Sequence, residues 1–251
     1  MTTYLLRHAR TSYSSRYLVN GDPRLPLPLD DEGVRTCHAS RHSLQAETRS
    51  CIWAVSTFPR THQTAALLSD DPDLRPTVLP HLDELDYGTF EAGPFLEYAT
   101  WLQQHGPWTR PPGASESQRE GIRRMLHGVR AALDLPGPRM IVAHGLLLSV
   151  LGWDLSRGPD TAMPLFFQEA PCLAPLRYSD EHLSERITSL LSELAEPASE
   201  GNRTTPAPSP VASWVAVPGS GSAQKSGTET TCDLATVGSL SIPSEEQSPH
   251  A

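Results

Sequence analysis

Two arginines and two histidines of this 251-residue chain follow short apolar runs that read as buried strands. Arg7-His8 comes directly after Tyr4-Leu5-Leu6. Arg60 comes shortly after Cys51-Ile52-Trp53-Ala54-Val55-Ser56, and His144-Gly145 after Met140-Ile141-Val142-Ala143. A guanidinium is a permanent planar cation whose forked donors match the oxygens of a phosphoryl group. An imidazole is unprotonated near neutrality and serves as a nucleophile without a helper base. The chemistry open to these residues is therefore phosphoryl transfer. His8 would attack phosphorus while Arg7 and Arg60 clamp the phosphoryl oxygens. His144 would add a donor at the start of a helix through Gly145-Leu146-Leu147-Leu148, whose free amides also favour anions. Cations beside His8 should hold it neutral, because a second positive charge there is repelled.

A leaving alkoxide needs a proton, so a carboxylic acid must stand near the transferred group. The run Leu82-Asp83-Glu84-Leu85-Asp86-Tyr87-Gly88, with Glu91 just beyond, concentrates carboxylates after the strand-like Thr77-Val78-Leu79. From the residues alone, Asp83, Glu84, Asp86 and Glu91 all remain open for that role.

The elements that must position these groups alternate along residues 1 to 196. Asp30/Asp31 would cap a helix through Val34 to Gln45, and Arg60 to Leu68 reads as a second. Ser115 to Leu133 carries Ile122, Met125, Leu126, Val129 and Leu133 at helical spacing. Ser179 to Leu194 reads as a further helix. Strands alternating with helices predict an α/β fold: a three-layer α/β/α sandwich with a mainly parallel central sheet and a helical lid insertion over Glu91 to Arg119. In such sheets ligands gather outside the carboxyl ends of the strands, where Arg7, His8, Arg60 and His144 are all delivered.

Composition bounds the rest. A formal charge of −9 supplies no broad basic field, so no nucleic-acid partner is expected. Lys225 is the only lysine, so the chain's basic residues are nearly all arginines and position must carry the argument. Cys37, Cys51, Cys172 and Cys232 form no C-x-x-C pair and read as reduced thiols. His38 and His42, four apart, lack a third ligand, so neither a metal nor another cofactor is expected. The short apolar run at the N-terminus is no signal peptide, and no stretch approaches the roughly 20 residues that span a bilayer. A cytoplasmic protein without a membrane partner is the expectation. Residues 197–251 are rich in Ser, Thr, Pro and Gly and predict a disordered tail. Within it, Gly219 to Ser226 only loosely matches a P-loop, with Gln224 where glycine is needed.

Taken together, Leu5-Leu6-Arg7-His8-Ala9-Arg10-Thr11 resembles the opening signature of the histidine phosphatase superfamily, in its phosphoglycerate-mutase-like branch. Ser56-Thr57-Phe58-Pro59-Arg60-Thr61-His62 is similar to that family's second arginine motif, and Glu84 through Gly93 to its acid-bearing loop. Ile141-Val142-Ala143-His144-Gly145 is similar to its second histidine motif. The four occur in family order over residues 4 to 150. The resemblance implies a phosphate pocket of Arg7, His8, Arg60 and His144, with Glu84 as general acid and then base. Ala9, Arg10 and Ser14 depart from the usual Gly, Glu/Gln and Asn. Ser115-Glu116-Ser117 resembles the family's Gly-Glu-Ser turn and equally suits helix capping.

The function expected is hydrolysis of a small phosphorylated metabolite through a phosphohistidine on His8. A phosphoglycerate-type mutase is the first rival, although Leu102 to Gln118 offers only Arg110 where mutases carry an extra basic segment. A phosphohistidine protein phosphatase would need an open pocket, and a catalytically inactive phosphate-binding module would lack turnover. The substrate's identity and the oligomeric state are not fixed by the sequence.

Overall fold

A computed structural model describes residues 1–158 and 161–195. Its centre is a sheet of β1 (Thr2–Arg7), β2 (Ile52–Val55), β3 (Thr77–Val78), β4 (Arg139–Ala143) and β5 (Leu176–Ser179), ordered β3-β2-β4-β1-β5. The first four strands run parallel, and β5 lies antiparallel along β1. Parallel neighbours need long crossovers, which here carry the helices. α1 (Asp31–Ser43) and the short α2 (Gln45–Thr48) lead to β2, and α3 (Pro59–Leu68) leads to β3. α4 (Phe95–His105) and α5 (Gln118–Ala132) lead to β4, α6 (Gly145–Ser156) to β5, and α7 (Asp180–Glu193) follows.

Side chains alternate across the sheet, so each strand feeds two cores. Leu5, Ala54 and Ile141 join Ile122, Met125 and Val129 of α5, Leu147 and Leu151 of α6, and Leu183 and Ile187 of α7. Leu6, Val55, Met140 and Val142 join Cys37 of α1 and Ala65 and Leu68 of α3. The result is the expected three-layer sandwich. β4 is buried along its whole length, as suits a central strand.

Local chemistry sets the helix ends. Asp30 caps α1, accepting from Gly33 N at 2.8 Å. A Cβ on Gly33 would stand 2.2 Å from Arg10 O, so only glycine lets α1 lie against the loop after β1. The helix expected from Ser115 begins at Gln118, because Ser117 is its cap. Ser117 Oγ accepts from Glu120 N, and Glu120 Oε2 accepts from Ser117 N at 2.8 Å, forming a capping box. The insertion between Glu91 and Arg119 contains α4, whose Tyr98 and Leu102 enter the core on the α5 side. Apolar patterning does not reveal β5, because its four residues alternate in burial and show no continuous apolar run.

The domain boundary expected at residue 197, the tail after it and the P-loop-like stretch lie outside the described residues. Among the described residues, no helix is long and apolar enough to cross a membrane.

Candidate active site

The parallel strands point their carboxyl ends to one edge, and the chain crosses that edge at Arg7-His8, Ser56 and His144. His8 extends the strand by one further bond, its N donating to Ala143 O at 3.0 Å. Its side chain is nearly enclosed. Nδ1 stands 2.7 Å from Ala9 O, and a carbonyl only accepts, so Nδ1 carries the proton. Nε2 accepts from Arg60 Nε at 3.1 Å. The ring is thus a neutral tautomer with its lone pair on Nε2. Burial, then the charges of Arg60 and Arg7, push its pKa well below the ordinary histidine value, as expected for a ring beside two cations.

Arg60 starts α3, with Pro59 ahead of it at the first helical position. Arg60 as a whole is 3% exposed, and among the described residues no carboxylate lies within 4.0 Å of its side-chain nitrogens. Neutral groups hold it instead. Nη1 donates to Asn20 Oδ1 and Nη2 to Asn20 O at 3.0 Å, while the Phe58 ring lies 4.1 Å from Cζ. Burial lowers its pKa to about 10, which still leaves it cationic at neutral pH. A buried cation without a close counter-ion is costly, and an anion in front of it would offset that cost.

Arg60 Nη2 also reaches His144 Nδ1 at 3.2 Å. Because Nη2 donates, Nδ1 accepts, and the His144 proton sits on Nε2, 2.8 Å from Ser56 Oγ. His144 is fully buried, and burial with the nearby Arg60 holds its pKa well below the ordinary range. The two imidazole centroids are 5.3 Å apart.

Arg7 closes another side. Its Nη1 donates to Glu169 Oε1 at 2.7 Å and to Ala170 O at 2.6 Å. Its Nε is buried with no protein partner among the described residues. A Cβ on Gly145 would come 3.4 Å from this guanidinium, so the glycine at the start of α6 leaves room for it.

Of the four carboxylates in the acidic run, three are engaged in holding loops. Asp83 accepts from Thr57 N and Oγ1, Asp86 from Ser115 N and Oγ, and Glu91 from Asn20 Nδ2 and Gly21 N. Glu84 differs. Its Oε1 accepts from Leu85 N at 2.9 Å, Leu146 N at the start of α6 also donates to it, and Arg60 and Arg7 act on it electrostatically. Burial outweighs these and raises its pKa above the ordinary carboxylate range. The structure therefore brings Arg7, His8, Arg60, His144 and Glu84 together.

The departures from the family pattern fall around this cluster. Ala9 is fully buried, its N bonded to Thr64 Oγ1. Arg10 pairs with Asp30 at the surface, and Ser14 bonds Thr11 within its own turn. Asn20 and Ser56 are the supporting residues that sequence reasoning missed. Their signals were faint: Asn20 precedes Gly21, where a Cβ would stand 1.7 Å from Leu85 O, and Ser56 directly follows β2.

A family model described as histidine phosphatase superfamily (branch 1) matches residues 3–190. The chain belongs to this superfamily. Among its relatives, proteins named "Probable phosphoglycerate mutase GpmB" from Yersinia pestis and Yersinia pseudotuberculosis are 29% identical over 161 residues, covering 60% of this chain and 73% of theirs. A mycobacterial glucosyl-3-phosphoglycerate phosphatase superposes with a TM-score of 0.57 at 22% identity, over 71% of this chain and 92% of that one. The alpha-ribazole phosphatase of Shigella flexneri gives a TM-score of 0.50 at 22% identity, over 66% and 82%. At such identities the likeness shows the fold. As a histidine phosphatase superfamily member, the chain carries its cluster at the sheet edge where all three strand-end motifs meet.

Proposed function

We propose that this chain is a phosphomonoesterase that hydrolyses a small phosphorylated metabolite through a phosphohistidine on His8. One observation carries the reading: His8 presents an unprotonated Nε2 beside a buried Arg60 cation that has no close carboxylate. Arg7 Nε is a buried donor without a protein partner among the described residues. One open donor and a buried cation held only by neutral groups, next to a neutral nucleophile, suit a phosphate monoester.

His8 Nε2 would attack phosphorus in line with the ester oxygen, forming the P–N bond as the P–O bond breaks. Arg60, Arg7 and the Leu146 end of α6 would stabilise charge on the phosphoryl oxygens. Glu84, whose pKa burial raises, would pass its proton to the departing alkoxide. As a carboxylate it would then take a proton from water, whose oxygen attacks phosphorus and returns His8. The guanidinium groups supply the charge that a divalent metal supplies at other phosphoryl-transfer sites.

A mutase reading rests on the names of the Yersinia relatives. Against it, Arg110, the one arginine between Leu102 and Gln118, is exposed and forked onto Glu120 at 2.7 and 2.8 Å. Assay with a chromogenic aryl phosphate, beside incubation with a phosphoglycerate, separates the readings. Steady release of inorganic phosphate from the aryl ester supports the hydrolase. Phosphoryl exchange between glycerate positions without phosphate release would replace it with the mutase. Loss of both activities would leave a binding module.

A further inference from the structure

The loop that carries Glu84 is short of regular structure, yet it holds a carboxyl group against the start of α6, within electrostatic reach of Arg60 and Arg7. Something must fix its backbone. α5 turns one face to it, formed by Gly121, Arg124 and Gly128 at helical spacing. A Cβ on Gly128 would stand 2.9 Å from the backbone of His81, and one on Gly121 would stand 2.5 Å from Leu85 Cδ1. The glycines therefore let the loop lie directly on the helix, with Arg124 between them.

Arg124 spends every donor it has on that contact. Nη1 donates to His81 O at 3.0 Å and to Asp83 O at 2.8 Å, and Nη2 to Glu84 O at 3.2 Å. Nε and Nη2 fork onto Glu116 Oε2 and Oε1 at 2.9 and 2.6 Å. A guanidinium has five N–H groups in a fixed plane, and here all five are matched. Glu116 Oε1 in turn accepts from Asp86 N at 3.3 Å, reaching the far side of Glu84. The brace is nearly neutral, since Glu116 cancels the charge of Arg124.

We propose that Arg124, with Glu116, is a positioning residue for the proton donor: it clamps the backbone of residues 81 to 84 so that the Glu84 carboxyl meets the leaving oxygen. This rests on the reading of Glu84 as the general acid. In this role Arg124 would act on the leaving group through Glu84 and not by contact with the phosphoryl group. A lysine keeps the charge but cannot span three carbonyls and a carboxylate from one plane.

The test uses the full-length protein with Arg124→Lys, Glu84→Gln and the double variant. Each is assayed on an alkyl phosphate and on a nitrophenyl phosphate. Arg124→Lys is expected to lower kcat on the alkyl ester about tenfold or more, but by no more than the roughly 10²- to 10⁴-fold that general acid catalysis is worth. On the aryl ester kcat should stay near wild type, and KM should change little on either. In the Glu84→Gln background Arg124→Lys should add almost nothing, because both act on one group. Should Arg124→Lys fail to fold, Glu116→Gln keeps the shape of the brace without its charge and should give a smaller loss of the same kind. Equal losses on both esters, or full additivity with Glu84→Gln, would overturn the positioning role while leaving Glu84 as the acid. Absence of any leaving-group dependence in Glu84→Gln itself would instead overturn the acid assignment, and the role of Arg124 with it.

Discussion

Arg60 Nε donates to His8 Nε2 at 3.1 Å, on the same lone pair that would form the phosphorus–nitrogen bond. The contact holds the ring as the tautomer that attack needs, with the other nitrogen tied to Ala9 O. Under the proposed mechanism an incoming phosphoryl group would take over an Arg60 donor as the nitrogen turns to phosphorus. Attack and charge stabilisation are thereby coupled through one side chain.

Replacing His8 by Ala should abolish turnover and leave the fold in place, since His8 sits at a strand end between polar partners. Wild-type protein quenched during turnover should carry an acid-labile, base-stable phosphoryl group that the variant lacks. Retained activity in His8→Ala would refute the mechanism.

Glu84→Gln keeps the size of the side chain and removes its proton. Turnover of an alkyl phosphate, whose alkoxide leaves poorly, should fall roughly 10²- to 10⁴-fold. An activated aryl ester, which leaves without a proton, should lose far less while transfer to His8 limits the rate. Equal losses would mean that Glu84 only positions the substrate. No loss on either ester would move the acid to Asp83, Asp86 or Glu91.

Asn20→Ala removes the Oδ1 acceptor of Arg60 and the link to Glu91. A hydrogen bond to a charged group is worth about 1.5–3 kcal/mol, so kcat/KM should fall on the order of tenfold to a hundredfold. Competitive inhibition by inorganic phosphate should weaken in parallel. Unchanged phosphate affinity would show that Arg60 is held without Asn20.

His8 and His144 both have folded pKa values below the ordinary 6.5. Below that value the unfolded chain binds protons that the folded one refuses, so their contribution to stability is present above about pH 6.5 and is lost as pH falls. Glu84 has the opposite sign. Its raised pKa favours the folded state at low pH and loses that contribution as pH rises through the folded value. The melting temperature should therefore drop on acidification below about pH 6.5, and a His8→Asn/His144→Asn variant should flatten that drop. A variant as pH-sensitive as the wild type would place the effect elsewhere.

Activity should survive exhaustive chelation, because Arg7 and Arg60 supply the positive charge that Mg²⁺ brings to other phosphoryl-transfer sites. Measuring kcat before and after chelator treatment checks it. A large loss restored by one added metal would contradict the expectation.

Much of this site was legible in the sequence, for a local reason. A buried strand is mostly apolar, and in a parallel sheet its carboxyl end opens at the ligand-binding edge. Tyr4-Leu5-Leu6, Ile52 to Val55 and Met140 to Ala143 thus announced both the sheet and the places where Arg7-His8, Ser56 and His144 emerge. The helices followed from apolar spacing and caps such as Asp30 and Ser117, which act over three or four residues. Four neighbouring carboxylates, by contrast, are equivalent in sequence. Only the packed chain commits Asp83 to Thr57, Asp86 to Ser115 and Glu91 to Asn20, leaving Glu84 facing Arg60 and Arg7. The same holds for Arg124, one arginine among many, whose five donors acquire a role only where Gly121 and Gly128 let a distant loop lie against α5. Residue type and local spacing specify which groups are offered to the site. Which one carries a raised pKa, and which merely holds a loop, depends on burial and partners from far along the chain.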